Sequence, residues 1–262
     1  MRPVTLITGA SSGIGAELAH VFAEHGHELV LTARREAELE ALAGAIAASG
    51  RPRPLVLPLD LVQRDAVAQL AAALAANGVE PDNVVNNAGF GLAGKAAELD
   101  RDDQVAMVDL NIRALTELSL AFADSLARHR GGLLNVASIA GFLPGPGMAV
   151  YYASKAYVLS FSEALHEELR GRGVRVTVLC PGPVATGFQA RAGLPSGGLG
   201  EGGPLALPAR RVAEIGYAGL VRGKRVVVAG LGNKLAVFFM GLMPHALLLP
   251  IVAYSMRRAR GL

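Results

Sequence analysis

TGASSGIG, residues 8–15, follows the apolar run Val4–Ile7 and leads into AELAHVFAEHG, residues 16–26. Three glycines, Gly9, Gly13 and Gly15, thus stand between a strand-like run and a helix-like one. Glycine tolerates positive φ and lets another group approach the backbone closely, so the spacing predicts a tight turn built around a ligand. On their own, the same glycines could do no more than shape a strand-to-helix turn.

Working outward, the rest of the chain supplies the context. Strand-like runs at Val4–Ile7, Glu28–Thr32, Pro54–Pro58, Asn83–Asn86, Gly132–Val136, Arg175–Leu179 and Arg225–Val228 alternate with Ala/Leu/Glu-rich segments mostly longer than ten residues. Such alternation predicts right-handed βαβ units and an α/β fold. The expected architecture is a doubly wound, mostly parallel, Rossmann-like sheet covered by helices on both faces. The 262 residues, 52% hydrophobic and 18% charged, suit one large domain with a substantial core and argue against disorder. The net charge of +3 comes from scattered arginines, with no dense basic run and no aromatic interleaving, so nucleic acid is not an expected partner. Cys180 is the only cysteine. It reads as a small apolar residue ending a strand, no intrachain disulfide is possible, and a reducing cytoplasm is the expected compartment. Met1, Arg2 and Pro3 run straight into a strand with no charged leader, so export is not expected. The histidines show no ligand spacing; His25, His27, His129 and His166 read as surface residues, and no metal is expected.

In a doubly wound sheet, the turn between the first strand and the first helix is where a dinucleotide pyrophosphate sits, against the helix N-terminus and its free N–H groups. Gly-x-x-x-Gly-x-Gly differs from the commoner G-x-G-x-x-G spacing. Further along come Asp60-Leu61, NNAG at 86–89, Asn111 in a helical stretch, Ser138 after the strand GGLLNVA, YYASK at 151–155 and PGPVAT at 181–186. This succession, over about residues 3–190, resembles the classical short-chain dehydrogenase/reductase family. HEEL at 166–169 and PGPVAT are similar to the branch holding 3-ketoacyl and 17β-hydroxysteroid reductases and their bacterial relatives.

Tyr151 and Lys155, four residues apart, project from one face of a helix. A neighbouring ammonium, together with an oxidised nicotinamide, is expected to lower the tyrosine's pKa and make Tyr151 a usable acid/base. Ser138 would hydrogen-bond and orient the carbonyl oxygen. Tyr152, at a spacing of three from the lysine, is the competing acid; the family frame selects Tyr151 and leaves Tyr152 to pack beneath the site. The resemblance further implies that Lys155 binds the nicotinamide ribose, and that Asn111 holds a helix irregularity and a water leading from the lysine to solvent. It implies a cofactor cradle of Gly9, Ser11, Ser12, Gly13, Ile14 and Gly15, with Asn87, Ala88 and Gly89 on the adenosine side. Asp60 and Leu61 would lie near the adenine, and Pro181, Gly182, Val184 and Thr186 would close over the cofactor beside Tyr151 and Lys155.

At the end of the second strand, Ala33 occupies the place where an NAD site commonly carries a carboxylate, and Arg34 and Arg35 follow. A guanidinium suits a 2′-phosphate in charge and in donor geometry, so NADP(H) is the expected cofactor. Gly193, Gly197, Gly198, Gly200, Gly202 and Gly203 predict a flexible substrate lid over 189–207. Phe142, Leu143 and Met148 are candidate pocket walls, and the absence of a charge cluster there favours a small apolar ketone or aldehyde and its alcohol. Residues 231–262 read as an apolar C-terminal extension. Pro244 and Pro250 interrupt its stretch 235–254, which favours two short helices packed on the substrate side or on another subunit; membrane contact is the less favoured alternative. A homodimer or homotetramer through helices near 102–129 and 151–171 is implied by the resemblance. A non-catalytic NADP(H)-responsive regulator and a membrane-interface reductase of a lipid ketone are the competing functions.

Overall fold

A computed structural model describes residues 1–194 and 205–259. Seven strands form one sheet: β1 (Arg2–Thr8), β2 (Leu29–Thr32), β3 (Leu55–Val56), β4 (Val79–Asn86), β5 (Gly132–Val136), β6 (Arg175–Cys180) and β7 (Val226–Val228). Their order is β3-β2-β1-β4-β5-β6-β7, and every neighbouring pair is parallel. All seven predicted strands are present. β4 starts four residues before the predicted Asn83, because Pro81 and Asp82 disguise it: the register steps from Val4↔Pro81 to Thr5↔Asn83, so Asp82 bulges out of the ladder.

Successive strand residues point to opposite faces, and the sequence fills both with apolar side chains. Ile7, Leu31, Val85 and Leu134 pack with the helices Gly13–Glu24, Glu36–Ala48 and Ala209–Val221. Their neighbours Leu6, Val30, Val84 and Leu133 pack against Ala66–Ala76, Leu115–Ala121 and the long helix Ala149–Arg170. The doubly wound architecture follows from that two-sided patterning.

The extension forms the helices Leu231–Leu242 and His245–Ala259. Pro244 separates them as expected; Pro250 does not end the second helix but sits inside it. No helix among the described residues is long and apolar enough to cross a membrane. Of the predicted lid, the helix Phe188–Ala192 ends at Gly193 in the left-handed region, φ 73°; Gly197, Gly198, Gly200, Gly202 and Gly203 lie outside the described residues.

Candidate active site

β1 and β4 are adjacent although three strands apart in chain order, so the connections leave in opposite directions and open a crevice beyond their carboxyl ends. The opening octapeptide turns there. Gly9, at φ 64°, passes so near β4 that an added Cβ would come 2.8 Å from Ala88 Cα. A Cβ on Gly15 would run into the Gly9 carbonyl oxygen, so this glycine packs the helix start beneath the turn. Two polar side chains fix the arrangement. Asn87 Nδ2 donates to the carbonyls of Thr8 (3.0 Å) and Gly9 (3.1 Å), while Thr8 Oγ1 accepts from the Asn87 and Ala88 amides (3.0 Å each).

A cavity of about 1400 Å³ runs from this turn to the C-terminal helices. Gly9, Ser11, Ser12, Gly13 and Ile14 line its floor, with Asn87, Ala88 and Gly89 opposite. Gly13, at φ 58°, faces Thr186, which lines the cavity with Pro181, Gly182 and Val184. At the β2 end stand Arg34, Arg35, Asp60 and Leu61. Arg35 donates to Ser11 Oγ (3.0 Å) and Ser12 Oγ (2.9 Å), and pairs with Glu38; Arg34 makes no side-chain hydrogen bond among the described residues. A helix start with unpaired amides, two guanidiniums and no carboxylate at Ala33 make a donor set that fits a phosphorylated dinucleotide.

Ser138, Tyr151 and Lys155 line the same cavity farther along. Ser138 follows β5 in extended backbone and caps a short 3₁₀ turn, its Oγ accepting from the Ala140 amide at 3.1 Å. Tyr151 and Lys155 lie one turn apart in the helix Ala149–Arg170. Lys155 Nζ donates to the Val136 carbonyl at 2.9 Å and lies 5.8 Å from the Tyr151 ring centre. The expected lowering of the tyrosine's pKa is absent in the free chain. Burial pushes Tyr151 up to about 12, with Ser138 pulling the other way, and draws Lys155 down to about 8. The ammonium is engaged with Val136 and does not touch the phenol oxygen, which is the physical reason. Cys180 ends β6 fully buried, and burial pushes its thiol up to about 12, as suits an inert strand residue.

Asn111 and Gly15 stand behind the cavity wall. Asn111 lies in a π-helical turn, Asp109–Ala114, between two α-helical segments, which is the irregularity the family resemblance implies. Its side chain accepts from the Phe90 amide (3.1 Å) and donates to the Phe90 carbonyl (2.9 Å) and to Ser154 Oγ (3.0 Å). It thereby anchors the segment after NNAG to the helix carrying Tyr151 and Lys155.

Leu143 and Met148 are cavity walls; Phe142 is not, and packs instead with Leu115, Ala137 and Val158. Tyr152 lies in the wall rather than beneath it. Several contributors escape sequence reasoning. Phe188 packs on Tyr151 (ring centres 5.3 Å apart) over Gly91, and the Arg191 guanidinium rides 4.4 Å above the Phe90 ring. Met240, Met243, Leu248 and Val252 close the far end. Only the arginine, the one charged residue between Thr186 and Pro195, carried a visible signal. Three histidines depart from the surface reading: His27 is half-buried between Thr5 and Tyr217, His129 pairs with Glu80, and His166 meets the Val176 carbonyl. No group of three metal-ligating side chains occurs among the described residues.

The short chain dehydrogenase family model matches residues 3–195. The sulfoacetaldehyde reductase of Chromohalobacter salexigens is 42% identical over 191 residues, 72% of this chain and 75% of that one. The short-chain dehydrogenase from Sphingobium yanoikuyae in complex with NADPH is 32% identical with a TM-score of 0.78, covering 92% of this chain and 95% of that one. The bulky-bulky ketone specific alcohol dehydrogenase from Comamonas testosteroni is 30% identical with a TM-score of 0.75, covering 93% and 94%. Similar solved structures include complexes with NADPH and with NAD.

Proposed function

This chain belongs to the short chain dehydrogenase family of oxidoreductases, and on that premise we propose that it interconverts an apolar ketone or aldehyde and its alcohol with NADP(H). One observation carries the reading. Ser138, Tyr151 and Lys155 converge on a single cavity whose wall beyond them is mostly apolar, drawn from Leu143, Met148, Phe188 and the C-terminal methionines, with Gln189 and Arg191 as its polar members.

Bound in the cradle from Gly9 to Ile14, the nicotinamide cofactor supplies the hydride acceptor or donor. The chain's own residues handle the oxygen and its proton. Ser138 Oγ donates a hydrogen bond to the substrate oxygen and fixes its direction. Tyr151, held protonated by its surroundings, delivers its phenolic proton to the oxygen as negative charge develops there, and takes one back in the reverse direction. Lys155 steadies the phenolate left behind and, once drawn from Val136, holds the ribose hydroxyls. Asn111 acts through others, keeping the Phe90 backbone and the Tyr151 helix in register.

NADP(H) over NAD(H) is read from Arg34 and Arg35 beside Ala33, with Arg35 already oriented by Ser11 and Ser12. The exposed Val105, Val108, Leu120 and Tyr157 lie on the helices expected to join subunits, and they support a homodimer or homotetramer. A second reading has its own observation: Arg191 brings a cation into the cavity, and a 42% identical relative is a sulfoacetaldehyde reductase, so a small anionic aldehyde is the competitor. Steady-state NADPH oxidation against sulfoacetaldehyde and a series of apolar ketones of increasing size separates the two. The proposal expects kcat/KM to rise with apolar size and to be lowest for the sulfonate. The opposite order establishes the anionic reading, and absence of turnover with any carbonyl rejects both.

A further inference from the structure

The C-terminal helices have two apolar faces, and the cavity uses only one. Met240, Met243, Leu248 and Val252 turn inward to the site. On the outside, Leu235, Phe238, Phe239, Leu242, Leu247 and Tyr254 are each more than half exposed. Ile251 belongs to both sets, exposed and also lining the cavity, so the outer face reaches the cavity mouth. A contiguous exposed face of this kind marks an interaction site.

The charge pattern decides among occupants. From Leu231 to Leu262 the sequence contains Lys234, Arg257, Arg258 and Arg260 and no Asp or Glu. A second copy seated symmetrically on this face would bring one acid-free cationic segment against another, with no carboxylate from either to compensate. The separate row on the helices Arg101–Val108, Leu115–Ala121 and Ala149–Arg170 already offers an apolar surface for self-association. At 12 and 15 residues, the C-terminal helices are too short to span a bilayer. Short helices with an exposed aromatic and aliphatic face and nearby cations fit the interfacial zone of an anionic membrane, where the apolar side chains enter the acyl boundary and the cations meet head groups.

We propose that residues 231–259 seat the protein on an anionic lipid surface, with the cavity mouth facing the acyl chains so that a lipid-borne carbonyl compound enters without crossing water. The second half of this statement rests on the reductase reading; the docking half does not. The chain contains no tryptophan, so Phe239→Trp places a single fluorophore on the outer face, away from the cavity lining. Emission is expected at water-exposed wavelengths in free protein. It should shift to the blue on adding phosphatidylcholine vesicles that contain phosphatidylglycerol, shift less with pure phosphatidylcholine, and return as salt is raised. Adding Leu247→Glu should weaken vesicle binding about tenfold or more. Meanwhile NADPH oxidation with a small water-soluble ketone stays unchanged. Emission unmoved by anionic vesicles overturns the proposal. So does emission already blue without lipid and dependent on protein concentration, which assigns the face to a second copy. Loss of ketone reduction in the wild-type chain with the blue shift intact rejects the reductase reading alone and leaves the docking in place.

Discussion

At the β1–β2 end of the cavity the chain presents backbone and fixed polar groups. Gly9 and Gly13 make the turn, Thr8 and Asn87 pin it, and Ser11 and Ser12 hold Arg35. At the other end it presents mostly apolar side chains from separate segments, among them Leu143, Phe188, Met240 and Val252, that meet through packing. The first region tolerates little change, since a Cβ added at Gly9 or Gly15 meets main chain and Gly13 holds positive φ. The second tolerates much, because methionines repack at small cost. The polar end therefore specifies the chemistry and its cofactor, while the apolar end sets the range of substrates.

The largest expected break in that comparison lies at the junction of the two ends. Tyr151→Phe removes one proton donor and almost no volume, so kcat should fall about 100- to 10,000-fold while NADPH affinity holds. Tyr152→Phe, at the neighbouring wall position, should change kcat severalfold at most. Comparable losses in both variants would mean that the proton comes from elsewhere.

Next in size is the cost of the buried ammonium. Burial lowers Lys155 from 10.5 to about 8. Between those values the unfolded chain keeps a proton that the folded chain has lost, so stability rises with pH across that window. Lys155→Met has no such proton to lose. Relative to that variant, the wild type should gain about 3 kcal/mol in urea unfolding between pH 8 and 10.5. Tyr151 and Cys180, both pushed up to about 12, lower stability above their ordinary values in both proteins; Tyr151 drops out of the difference, and Cys180 does so only in part, because the Lys155 charge acts on its thiol. A flat difference would show that the ammonium is well solvated or well paired.

At the polar end, Arg34→Ala should weaken NADPH binding about tenfold and leave NADH nearly unaffected, because only the 2′-phosphate distinguishes the two. Equal weakening would mean that the guanidinium serves the fold or the shared pyrophosphate. Arg35, tied to Ser11, Ser12 and Glu38, should show a mixed effect on both cofactors.

The same contrast explains what was readable from the sequence. The strands were legible because both of their faces are buried, so the apolar runs are continuous; β1 began two residues before its apolar run, at Arg2, and β4, with Pro81 and Asp82 at its bulge, began four residues before its own. The glycine turn, Asn87 and the Tyr151–Lys155 spacing were legible because each acts through backbone geometry within a few residues of sequence. Phe142 and Leu143 are adjacent and equally apolar, and nothing local shows that the first enters the core beside Val158 while the second faces the cavity. Tyr151's raised pKa was likewise illegible, since it depends on how deeply the fold buries the phenol. Residues that act by long-range packing, such as Phe188 and Met240, have no signature until the fold brings them together.

The smallest expected effect tests the apolar end itself. Met240 lies on a C-terminal helix far in sequence from the catalytic row, and it lines the cavity beside Met243. Met240→Ala removes apolar contact from one wall, but neighbouring methionines can move into part of the space, so the loss is shared rather than localised. For a small ketone that never reaches this wall, kcat/KM should stay within about twofold of wild type. For a ketone large enough to touch it, kcat/KM should fall about three- to tenfold, in keeping with the modest discrimination that an apolar pocket exerts. Because the contact serves substrate placement and not proton transfer, the fall should be carried by KM, with kcat nearly constant. An equal loss for both ketones, or one carried by kcat, would show that the C-terminal helix holds the catalytic row in place. The polar and apolar ends would then be a single mechanical unit.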